Sequence, residues 1–211
     1  MPYWIQSGYD HTRMAAVDCD PDLFDSLWRP IWVGAPLSPE ILARLPNPLV
    51  LNPPERGDLP DFVGAGGGAN GWILSEKARR LVVSLEPNVH TFIPVNLRVR
   101  GSDKSWGEYF LLYVGQAIDA VVREQTQFQG EFGQEGYNVS PLLDVLRPNI
   151  VLDRKLIAGK HLWRGGIGKI GGGGAFWSEL FCSDELAELF KTNNIEGWLF
   201  NEPCKVAGEG A

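Results

Sequence analysis

The chain has 211 residues, 44% hydrophobic and 21% charged, enough to bury a large core in one domain without disulfide or metal staples. Its formal charge of −7 argues against a nucleic-acid or anionic-membrane partner, either of which needs a basic patch; it permits a basic protein partner or simply keeps the chain in solution. Three scattered cysteines (Cys19, Cys182, Cys204) with no CxxC pair argue against a disulfide framework or zinc knuckle.

No apolar run approaches the roughly 20 residues of a membrane helix. No basic-then-apolar leader opens the chain, so the cytoplasm is the expected address. A single domain over 1–211 is expected: a proline-rich, irregular part over 1–70, a regular core over 71–204 and a flexible tail over 205–211.

In chain order, Asp20-Pro21-Asp22 starts a helix with Leu23, Phe24 and Leu27 as its apolar stripe, closed by Pro30. Ser38-Pro39-Glu40 caps a second short helix through Leu45. Leu49 to Leu51 reads as a strand. Gly64 to Gly71 is a flexible break. Trp72 to Leu74 then reads as a strand, and Ser75 caps a helix with Ala78, Leu81, Val82 and Leu85 on one face.

From Val89 to Val99 the pattern alternates with period two, which predicts a strand. Pro94 should place it at an edge or a bulge. Glu108 to Val114 pairs back onto it across the polar turn Gly101 to Lys104. Residues 124–141 read as a long loop. Ile150 to Leu152 and His161 to Arg164 are short strands, followed by a glycine tract over 165–174. Phe176 to Phe181 follows, then a Ser183-capped helix with Leu186, Ala187, Leu189 and Phe190 inward, and a last strand at Gly197 to Phe200. Helices interleaved with hairpin strands predict an α+β fold: a mainly antiparallel sheet with helices on one face and long Gly/Pro-rich loops.

No local motif carries catalysis. Gly66 to Gly71 satisfies G-x-G-x-x-G, but Trp72 to Leu74 separates it from the helix that a dinucleotide site requires. The tract over 165–174 holds Lys169 without phosphate-loop spacing. His11, His90 and His161 show no ligand spacing, and no GxSxG elbow is present. No catalytic residue, cofactor or metal is therefore expected.

Acidic residues cluster in two aromatic-flanked segments. Asp20, Asp22 and Asp25 sit beside Phe24 and Trp28; Glu179, Asp184, Glu185 and Glu188 lie with Trp177 and Trp198. Such segments are solvated helix faces, or an interface for a basic protein in which charge steers and aromatics anchor.

The series ILSEKARRLVVSLEPNVHTFIPVNL (73–97), GEYFLLYVGQAIDAVV (107–122), Leu152-Asp153, HLWR (161–164) and a Ser-Asp-Glu-Leu helix leading into GWLF resembles a family of immunity proteins from bacterial polymorphic-toxin systems, over roughly residues 70–204. The resemblance implies a non-enzymatic inhibitor that binds and neutralises a cognate toxin domain. The resemblance carries over no contact residues; the acidic, aromatic-flanked segments supply the expected ones, Asp20, Asp22, Asp25, Trp177, Glu179, Asp184, Glu185 and Glu188. The alternatives are a small hydrolase or transferase built on scattered carboxylates and His161, and a non-enzymatic adaptor whose glycine loops fold onto a peptide.

Overall fold

The structure, a computed structural model, describes residues 1–7, 16–17, 37–44, 49–52, 59–65, 71–98, 105–126, 128–129, 140–141, 150–166 and 178–208. In chain order the elements are β1 (Tyr3–Ser7), β2 (Ala16–Val17), α1 (Pro39–Arg44), β3 (Leu49–Asn52), β4 (Phe62–Ala65) and β5 (Gly71–Ser75). Then come α2 (Glu76–Leu85), β6 (Thr91–Arg98), β7 (Ser105–Tyr113), β8 (Ala117–Ile118), a 3-10 turn (Arg123–Gln125), β9 (Phe128–Gln129) and β10 (Ser140–Pro141). The chain closes with β11 (Val151–Leu152), α3 (Arg154–Ile157), β12 (Leu162–Gly166), β13 (Ser178–Cys182), α4 (Asp184–Thr192), β14 (Trp198–Pro203) and β15 (Lys205–Val206).

Local chemistry explains the two longer helices. The Ser75 hydroxyl accepts the Ala78 N–H at 3.2 Å, and the Ser183 hydroxyl accepts the Leu186 N–H at 3.2 Å, satisfying a donor that each first turn leaves orphaned. In α2, Ala78 and Val82 are buried; in α4, Leu186, Ala187 and Phe190 are. Leu81 and Leu85 pack partly buried against the same core, so the α2 stripe is as expected, whereas Leu189 of the α4 stripe is only half-buried and joins none of the core clusters.

Two sheets carry the fold, and the α+β class expected from the sequence is the class observed. One has the order β2-β3-β6-β7-β5-β4, the other β14-β1-β13-β12-β8. Pairing is antiparallel except for β3 with β6, β8 with β12, and β11 with β15. A central apolar cluster draws on both sheets and both helices: Ile5, Leu162 and Leu180 meet Trp72, Leu74 and Leu112, with Val82 and Phe190 between. The opposite face of the first sheet buries Ile93, Val95 and Leu97. The opposite face of the second buries Trp4, Trp163 and Phe181 against Ile150, Leu152 and Cys204.

Four other local expectations differ from the structure. Pro94 lies in β6, an inner strand between β3 and β7, rather than at an edge. The ladder with β3 begins at Val95, one residue later, so the missing N–H interrupts no bond on that side. The glycine break at 64–71 is partly a hairpin, since β4 pairs β5 from Phe62↔Leu74 to Ala65↔Gly71. The irregular N-terminal part contributes β1, which sits between β14 and β13. The residues read as a tail begin with β15, paired to β11, and Val206 is buried. The helix expected at Asp20 to Leu27, most of the loop over 124–141 and the tract over 167–174 lie outside the described residues.

Candidate functional site

Three of the sequence-selected acids come together on one helix. Asp184 and Glu185 occupy the first turn of α4 and Glu188 the next, all exposed, while Leu186, Ala187 and Phe190 face the core. Acids in a first turn complement the positive end of the helix dipole. Each already has a partner: Asp184 meets the Met1 amine at 3.1 Å, Glu185 lies 3.6 Å from His161 Nδ1, and Glu188 takes Lys191 Nζ at 2.8 Å. The Met1 amine holds the Asp184 carboxyl below the usual carboxylate range. Glu179 lies in β13, opposite Gly165 of β12. Asp20, Asp22, Asp25 and Trp177 lie outside the described residues.

Beside the start of α4 opens a cleft of about 410 Å³. Pro2, Ile157 and Trp163 line it, together with Lys160 and His161 from the α3–β12 segment and Ser183, Asp184 and Glu185 from the start of α4. Lys160 follows Gly159, whose φ of +68° turns the chain out of α3, and its N–H donates to Ile157 at 3.1 Å. Ser183 N–H donates to the His161 carbonyl at 3.0 Å, which fixes the two sides against each other.

The Lys160–His161 side is anchored by Glu86, a residue that the sequence did not single out. Glu86 follows the last turn of α2, where a carboxylate opposes the helix dipole. That misplacement is the signal that could have found it. The carboxylate is buried at 5% exposure and takes four donors. His90 Nε2 (2.8 Å) and Leu162 N–H (2.9 Å) reach one oxygen; Gln116 Nε2 (2.7 Å) and His161 N–H (3.0 Å) reach the other. Gly115 N–H donates to His90 Nδ1 at 3.2 Å, so the His90 proton sits on Nε2, facing Glu86. Burial pushes the Glu86 carboxyl up, but the hydrogen bonds from His90, His161 N–H and Gln116 outweigh it and hold the group down at about 2.

Ser183, His161 and Glu185 resemble a nucleophile–base–acid set only in composition. A relay needs the acid on one ring nitrogen and the nucleophile on the other. Here Ser183 Oγ (3.0 Å) and Glu185 (3.6 Å) both meet Nδ1, and the serine oxygen is already occupied as the cap of α4. Asp184 is shifted down, the opposite of what a carboxylic proton donor requires. Burial pushes the Cys182 thiol up and the Cys204 thiol up to about 12, away from the thiolate that nucleophilic chemistry uses. Among the described residues no cluster of His, Cys, Asp and Glu could hold a metal ion, and no helix is long and apolar enough to cross a membrane.

The cap itself is testable. Ser183→Ala is expected to lower stability by about 1 kcal/mol, read by urea denaturation, through loss of the bond to Leu186 N–H.

A family model described as an immunity protein family, Imm11, matches residues 6–205. The match begins far ahead of the residue-70 boundary that the motif series suggested, so nearly all of the N-terminal part falls within it, from the end of β1 onward. No curated protein matches the sequence.

Proposed function

The chain belongs to the Imm11 immunity protein family, and from that premise we propose that it binds a cognate toxin domain directly and neutralises it without catalysis, in the cytoplasm of a cell that carries a polymorphic-toxin system. The family match over nearly the whole chain is the observation that carries this reading. The contact surface is the exposed acidic edge of α4, Asp184, Glu185 and Glu188, together with the cleft beside it. Glu179, Trp177 and the Asp20, Asp22, Asp25 segment complete the proposed contact set. A partly basic partner suits a chain of net charge −7.

The core-facing side of α4 holds the fold, and the pairs that its outward acids make with Met1, His161 and Lys191 are exposed enough to be exchanged for a partner at small cost. Charge reversal at Asp184, Glu185 and Glu188 is therefore expected to slow association with the toxin domain by about tenfold or more at low salt, while each reversal lowers stability by about 1 kcal/mol or less through the helix dipole and the exposed ion pairs. Stopped-flow association rates across an ionic-strength series measure this. Rates indifferent to both salt and reversal would remove α4 from the interface.

A further inference from the structure

Both sides of the cleft carry charge, but of opposite sign and in different states of satisfaction. Asp184 pairs with the Met1 amine, and Glu185 lies 3.6 Å from the His161 ring. Lys160, on the other side, is exposed and its ammonium has no ion-pair partner among the described residues. A cleft shaped only for a basic partner would not place an unpaired ammonium in its wall, because that cation repels the incoming one.

Resting on the toxin-binding reading, we propose that the cleft receives a segment of the toxin that carries both signs: an anionic side chain on Lys160, a cationic side chain on Glu185, and an apolar side chain against Ile157. Glu185 is 62% exposed, and a carboxylate has acceptor sites for more than the single His161 contact at 3.6 Å. Half-buried Ile157 is the apolar surface that the segment can cover; Trp163, 1% exposed and stacked on Phe181, is already covered and gives the cleft a firm base.

The two sides are held before any partner arrives. Glu86 binds the N–H groups of His161 and Leu162, the Gly159 turn sets Lys160, and the Ser183 cap and its bond to the His161 carbonyl set α4. A prepared cleft loses little entropy on binding, which favours recognition of a defined charge pattern over general attraction to a basic surface. Two opposite charges carried on a held backbone also favour one direction for the segment.

The test is equilibrium titration of the full-length protein with the toxin domain encoded beside it, comparing wild type with Lys160→Glu, Lys160→Gln and Glu185→Lys. Thermal unfolding of each variant checks the fold. The expected result is a loss of tenfold or more in affinity for both Lys160→Glu and Glu185→Lys, with Lys160→Gln intermediate. Tighter binding by Lys160→Glu would mean a partner that is only basic at this cleft and would overturn the two-sign proposal. Unchanged affinity in all variants, with wild type bound, overturns the cleft while leaving toxin binding intact. Absence of binding by wild type overturns the toxin-binding reading and the cleft together.

Discussion

Replacing Glu86 with alanine is expected to lower the unfolding free energy by about 3 kcal/mol or more, because four donors that now share one buried carboxylate lose their acceptor. Glu86→Gln should be little better. An amide offers one oxygen and one NH2, so two of the four donors would face another donor. The pH dependence has a definite sign. The folded carboxyl is held at about 2 against an ordinary value of 4.5, so the stability it contributes is present above about pH 4.5 and is lost as pH falls towards 2. The shift corresponds to about 3 kcal/mol. Denaturant unfolding of wild type and Glu86→Ala between pH 7 and pH 2.5 measures it: the gap between them should narrow through that window. A constant gap would mean that the carboxylate's charge contributes nothing.

The second large effect is expected at Gly197, where the chain leaves α4 and enters β14. Its φ is +90°, and a Cβ there would stand 2.2 Å from the Phe62 carbonyl oxygen and 3.0 Å from Pro60 Cβ. Neither neighbour can swing aside. Pro60 is rigid, and Phe62 is locked in β4 with its ring stacked on Trp198 at 3.7 Å between centroids. Asp61 reinforces the junction: its carboxylate takes the Ser75 hydroxyl at 2.5 Å and the Glu196 N–H at 3.2 Å. Backbone strain and overpacking together make Gly197→Ala cost about 3 kcal/mol. Thermal melts of Gly197→Ala beside Gly208→Ala separate the two terms, since Gly208 also has positive φ (+86°) but nothing within 4 Å of an added Cβ. Equal losses at both sites would show that the contact with β4 is unimportant.

The sequence was most legible where structure is decided within a few residues. Ser75 and Ser183 announce their helices because a serine followed by a helical apolar stripe satisfies the first turn by itself. The β6–β7 hairpin is legible for a similar reason, since a period-two pattern and a polar turn make a pairing of near neighbours. The insertion of β1 between β14 and β13 was not legible, because its partners lie about the whole length of the chain away and nothing in Tyr3–Ser7 names them. Parallel pairing of β3 with β6 hid the true place of Pro94 in the same way.

The site divides along the same line. Asp184, Glu185 and Glu188 were visible because helical spacing puts them outward, opposite Leu186, Ala187 and Phe190. Lys160, Trp163 and Glu86 were not. Their roles depend on contacts across the chain: Glu86 reaches Gln116 and His161, and Pro2 meets residues 157–163 and 183–185 at one cleft. No periodicity encodes such a meeting.

Growth rescue tests the central claim most directly. The toxin domain encoded beside this gene is expressed in a sensitive host with and without the full-length protein, survival is followed, and the two proteins are then purified through a tag on one of them. The account predicts survival only when both are present, together with a stable complex of the two. Continued killing by an active toxin, with the immunity protein folded and abundant but no complex formed, would contradict it.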